Sequence, residues 1–328
     1  MKNIHASGEI QVSTQVNDAM LSDAPMQAAG ARVLSRRRLA SAWRPARQLC
    51  RVFSEQVFDA RQALGGVDSS EAIHLARRHI KRARSTLRLI RTAIDQDALA
   101  RTDDLLHSAA KLLGPIRDRE VLRHTLASFG EKIHTPRGLA ALQAAYARAD
   151  RKSHSSAVDA DATTASALLG AASELASSWN VADAWYSPTE SAAQIYRRAR
   201  KVTRRVALDR NSELHALRRH TQYLRFALEA IALEPARELD DLLRSLGKLS
   251  DLLGKDHDLQ MLEAALQSRA RRSTIAASQS LLKSIRKRRI PLQQRALKLA
   301  RHLYDSKPRR FAMQLEAQWL QWEERLLH

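Results

Sequence analysis

The chain has 328 residues, enough for two ordinary domains or for one built on a duplicated unit, and its 55 Lys and Arg against 35 Asp and Glu give a formal charge of +20. An excess of one sign on that scale repels itself unless something anionic offsets it, so the expected partner is a polyanion. The one cysteine, Cys50, excludes an intramolecular disulfide and any multi-cysteine metal site, and a reducing cytoplasm is the expected location.

Residues 1–31 are polar and show no sustained period, so a flexible N-terminal tail is expected there. The opening segment MKNIHASGEIQVSTQVNDAM lacks the apolar region of a signal peptide, and nowhere do 18 apolar residues run together. Neither secretion nor membrane insertion is therefore expected. Gly (10) and Pro (8) are scarce in the chain, and from residue 32 onward Ala, Leu and Arg dominate and apolar residues recur at spacings of three and four. That pattern predicts an all-α fold.

The first strongly patterned helix is HLARRHIKRARSTLRLI, residues 74–90. Between Ala72 and Ile94 there are seven Arg or Lys residues and no Asp or Glu. At the helical period His74, Arg77, Lys81, Arg84 and Arg88 share a stripe about 80° wide, while Ala76, Ile80, Ala83, Leu87, Ile90 and Ile94 line the opposite face. A solvated face normally mixes signs at i,i+4. Here like-charge neighbours such as Arg77/Lys81, Arg78/Arg82 and Arg84/Arg88 cost roughly 1–3 kcal/mol together, a cost that a bound anion turns into affinity.

Further along, DDLLHSAAKLLG (103–114) leads into LLGPIRDREVL (112–122). SHSSAVDADATTAS (153–166) reads as a linker or a frayed helix end, and the linker is expected over about 159–188 between a first bundle at 32–158 and a second at 189–328. In the second part HALRRHTQYLRFALEAI (215–231) repeats the 74–90 pattern 141 residues later, DDLLRSLGKLSDLLG (240–254) repeats 103–114, and LLGKDHDLQML (252–262) repeats 112–122. Three blocks in register predict a duplicated unit of about 140 residues, hence two pseudo-symmetric four-helix bundles.

The His-x2-Arg-x3-Lys-Arg-x-Arg spacing of His74, Arg77, Lys81, Arg82 and Arg84, the segment Leu113, Gly114, Arg117, Asp118, and their second copies resemble the CHAD family, the conserved-histidine α-helical domain. The resemblance spans about residues 32–328. It implies two bundles enclosing a basic channel that binds inorganic polyphosphate, with the matching Arg, Lys and His side chains facing the phosphates. The second copy departs from the pattern at Gln222, Tyr223, Phe226 and Glu229, so its surface is expected to bind more weakly.

The expected phosphate-binding residues are His74, Arg77, Arg78, Lys81, Arg82, Arg84, Arg88 and Arg117 in the first half. In the second they are His215, Arg218, Arg219 and Arg225, with Arg197, Arg200, Lys201 and Arg204 on one helical face and Arg286 and Arg289 on another. The pairs His74/His79 and His215/His220 are five residues apart, about 140° of helix, so neither pair chelates one metal. Asp118 and Asp258 are expected to orient an arginine. No phosphate-cradling glycine loop, no positioned Cys nucleophile and no alternating Glu and Lys on strands accompany them, so binding without catalysis, metal or cofactor is expected.

Aromatics make up only 5% of the chain and are absent from 74–91, which disfavours base stacking. Linear polyphosphate is the preferred partner, and the protein is read as cytoplasmic, on polyphosphate granules in one version. The alternatives are a double-stranded nucleic-acid binder acting through phosphate contacts, or a helical scaffold that recruits acidic proteins.

Overall fold

A computed structural model describes residues 45–65, 70–129, 156–181, 188–232, 237–269 and 275–326. Among the described residues there are ten helices and no strand. In chain order they are α1 (Pro45–Gly65), α2 (Ser70–Leu89), α3 (Gln96–Leu112), α4 (Gly114–Ala127), α5 (Ser156–Ser177), α6 (Pro188–Thr203), α7 (Asn211–Ile231), α8 (Arg237–Arg269), α9 (Ile275–Leu303) and α10 (Pro308–Leu326). The all-α expectation holds.

The apolar stripe read from the sequence is what buries α2. Ile80, Ala83 and Leu87 are at most 2% exposed, and on the other side Arg77, Lys81, Arg84 and Arg88 are half-buried. Truncating Leu87 to Ala would cost about 2–5 kcal/mol through lost transfer energy and the cavity left behind. Glu71 in the first turn and Arg88 in the last complement the helix dipole. The next helix, α3, starts where the Asp95 carboxylate accepts the Ala98 N–H at 2.9 Å.

Helices α1, α2, α3 and α5 pack about one another, while α6, α7, α8, α9 and α10 form a second group. The groups meet where α2 lies against α7, and a single apolar core runs through both. At that joint the Ser85 hydroxyl donates to the Tyr223 carbonyl at 2.6 Å. A separate cluster of Leu126, Phe129, Leu259, Leu262, Leu281 and Ile285 joins the end of α4 to α8 and α9. The last helix docks through Phe311, stacked 4.2 Å from Tyr196, and through buried Leu315.

One local difference separates the two groups. In the first, Pro115 cannot donate an amide hydrogen, and the chain divides into α3 and α4 at Leu113. In the second, Lys255 stands at the aligned position and α8 runs unbroken for 33 residues.

The expected linker over 159–188 is corrected. Most of it is α5, which packs on α1 and α3 and buries Ala165, Leu169 and Ala172. Its small residues give a weak apolar pattern, yet they allow close approach: a Cβ on Gly170 would touch the Arg61 guanidinium at 3.6 Å. The expected tail at 1–31 lies outside the described residues.

Candidate polyanion site

Four cations from three helices converge near the α2–α7 joint: Arg77 and Lys81 from α2, Arg117 from α4 and Arg218 from α7. The Arg117 and Arg218 charges both oppose protonation of Lys81, as does Arg77, and burial opposes it most. Together they push the Lys81 ammonium down to about 8, with Asp118 acting the other way. Burial likewise pulls Arg77 and Arg218 below the usual arginine range. Asp118 and Asp258, expected to orient an arginine, partly offset the crowding, but neither makes a direct ion pair among the described residues. The Nε donor of Arg218 is buried and has no hydrogen-bond partner among the described residues.

Glycines make room for two of these arginines. A Cβ at Gly114 would meet Arg77 Nη1 at 3.5 Å, and one at Gly254 would meet Arg218 Nε at 3.9 Å, so any longer side chain would displace the guanidinium. Arg77 is further anchored by donating to the Ala110 carbonyl.

The histidines extend the cluster. Arg117 Nε donates to His74 Nδ1 at 3.0 Å, which places the His74 proton on Nε2 as a donor available to an anion. His215 lies 5.1 Å, ring to ring, from His257 of α8. Burial first, and then the surrounding Arg and Lys charges, hold His74 and His215 below the usual histidine value and push His257 down to about 4. His79 points elsewhere, 3.0 Å from Gln56 Oε1 and 3.5 Å from Asp59 of α1, in a packing role.

Toward the C-terminal end of α2 the expected cations are held by carboxylates. Arg84 forms a two-pronged pair with Asp103 at 2.8 and 2.9 Å, and Arg88 lies 3.8 Å from the same carboxylate. Arg82 and Arg225 share Glu229. The Arg88 guanidinium also sits 4.1 Å from the centre of the Tyr223 ring, a cation–π contact across the joint.

The remaining expected residues scatter. Arg78 and Arg219 are exposed beside the histidines. Arg197 and Lys201 are exposed on α6, Arg204 is exposed just past its end, and Arg200 turns to the Asp305 carbonyl at 3.1 Å. The α6 cation that does act on the α2–α7 joint is Arg198, whose charge bears on Arg88 and His220. Arg286 and Arg289 are corrected: both bind Glu263 at 2.8 Å, and Arg289, 4% exposed, also pairs with Asp256 at 2.9 Å and bonds Asn211. They face α8 because that helix supplies the carboxylates. His257, Asp103 and Arg198 are not among the expected residues. His257 aligns with Arg117 in the repeated LLG segment, a signal that was present in the sequence.

Among the described residues no group of three His, Cys, Asp or Glu is placed to hold a metal, and no helix is long and apolar enough to cross a membrane.

The CHAD domain model matches residues 48–267, two thirds of the chain, and the protein belongs to the CHAD domain family. That membership associates it with polyphosphate at the level of the family. Among solved structures, PptA from Streptomyces chartreusis is similar in fold, with a TM-score of 0.61 at 18% identity over 78% of this chain and 98% of that one. The CHAD domain from the plant Ricinus communis aligns with a TM-score of 0.48 at 20% identity over 80% of this chain and 92% of that one. No curated protein matches the chain.

Proposed function

We propose that the protein binds inorganic polyphosphate without catalysis, as a cytoplasmic protein able to sit on polyphosphate granules, with Arg77, Lys81, Arg117 and Arg218 at the centre of the site. The observation that carries this reading is their convergence, with one ammonium driven down to about 8 and the Arg218 Nε donor buried without a partner among the described residues. Such crowding costs stability in the free protein and is relieved by a multivalent anion. His74 and His215 supply donors at the edge, and arginine suits the task because its planar fork holds two phosphate oxygens at once. Family membership supports the same partner.

A polymer is favoured over separate phosphates, since one tethered anion meets successive cations at high effective concentration. The test is calorimetry with long-chain polyphosphate, tripolyphosphate and orthophosphate at matched phosphate, followed by competition with duplex DNA. Tighter binding of the long chain, undisplaced by DNA at equal charge, is expected. Equal affinity for tripolyphosphate would overturn the polymer site, and displacement by DNA would favour the nucleic-acid reading.

A further inference from the structure

Away from this cluster, the end of α4, the middle of α8 and the middle of α9 line an open cleft of about 910 Å³, within the range of small-molecule sites. Four cations border it: Lys255 from α8, and Lys287, Arg288 and Arg295 from α9. No carboxylate lines it, and Lys255, Lys287 and Arg295 make no ion pair among the described residues. The contrast lies within one helix, because Arg286 and Arg289 of α9 turn the other way and are taken up by Glu263 and Asp256.

The cleft is not simply more basic surface. Leu259, Pro291 and Leu292 give it an apolar wall, against which a bare phosphate polymer would gain nothing. The Arg288 guanidinium carbon lies 3.8 Å from the centre of the Phe129 ring, so that group is anchored on one side and presents its other side to a ligand. Pro291 has no amide hydrogen, so the helix lacks the usual bond from position 291 back to the Lys287 carbonyl one turn earlier. The cleft thus combines cations that make no ion pair among the described residues, an apolar wall and a guanidinium on which a flat ring can stack.

We infer that this cleft is a nucleotide site. The phosphates would lie among Lys255, Lys287 and Arg295, and the base against Arg288 and the apolar wall. This inference does not rest on the polyphosphate reading, since the two sites share no residue.

The test is calorimetry of ATP binding to the full chain, with tripolyphosphate as the competitor that carries the charge without the base. Three proteins are compared: wild type, Lys287→Ala with Arg295→Ala, and Arg77→Glu with Lys81→Glu. Lys287 and Arg295 are exposed, so their loss should leave the circular dichroism unchanged. ATP should bind the wild type and the Arg77/Lys81 variant alike, and roughly tenfold or more weakly to the cleft variant. Polyphosphate affinity should be the same for the cleft variant as for wild type. The inference is overturned if ATP does not bind the wild type, if its binding is lost with Arg77 and Lys81 and kept without Lys287 and Arg295, or if tripolyphosphate displaces it mole for mole.

Discussion

Glu229 accepts from one arginine on each side of the α2–α7 joint: Arg225 Nε at 2.8 Å and Arg82 Nη2 at 3.1 Å. The sequence led us to expect this acid to weaken the second surface alone, but it also occupies a cation of the first. A polyphosphate reaching this end must compete with a carboxylate already in place. Glu229→Gln should therefore tighten long-chain polyphosphate binding and steepen the slope of log K against log salt by roughly 0.7 for each arginine that engages, by analogy with single-stranded nucleic acid. A salt titration reads this directly, and an unchanged slope would put Arg82 and Arg225 outside the binding path.

The centre of the cluster should respond in the opposite sense. Reversing Arg77 and Lys81 to Glu removes two converging cations and adds two charges that repel the polymer, so most polyphosphate affinity should vanish. Both side chains lie off the buried stripe of Ile80, Ala83 and Leu87, so far-ultraviolet circular dichroism should match wild type. Retained affinity in a normally folded variant would move the site elsewhere.

What could be read from the sequence followed from period and charge. The apolar and basic faces of α2 were legible because one helix carries both, and Arg218, whose charge acts on Lys81, stands where the α2 pattern recurs in α7. Partners that come from another helix were not. Nothing local to Arg84 announces Asp103, and nothing local to Arg289 announces Asp256, 33 residues away in sequence and 2.9 Å away in space. Helix α5 escaped notice for a different reason: Ala and Ser in place of Leu blur the period that betrays a buried face. His257 was available by alignment with Arg117, but His-for-Arg hid the shared position.

Arg289 gives a stability prediction. Its side chain and that of Asp256 are 5% and 4% exposed, so removing the guanidinium strands a buried carboxylate that keeps only Gln293 Nε2 at 2.9 Å. Arg289→Met should lower stability by about 3–5 kcal/mol, the usual cost of breaking such a pair from one side. Adding Asp256→Asn should recover part of the loss. Thermal unfolding of the single and double variants checks both statements. Polyphosphate affinity of the single variant, measured well below its unfolding temperature, should be that of wild type, and a large loss would return Arg289 to the site.

The pH dependence of binding should carry the mark of Lys81. Burial is the main reason its ammonium is held near 8, and Arg77 on its own helix, Arg117 on α4 and Arg218 on α7 add to it, against Asp118. A bound polyanion favours the charged form, so the value rises in the complex. Below about 8 the lysine is protonated in both states and its contribution to affinity is flat. Between about 8 and the higher value of the complex, the free protein has lost the proton that the complex keeps, so binding must take one up. Affinity should then fall with rising pH by up to about tenfold per pH unit. The internal phosphates of the polymer stay ionised throughout this range and do not contribute. Lys81→Arg fixes the charge, and its affinity should stay level across the window where wild type declines. Calorimetry in two buffers of different ionisation enthalpy would show proton uptake by wild type above about pH 8 and none by the arginine variant. A parallel decline in both proteins would assign the titration to another group.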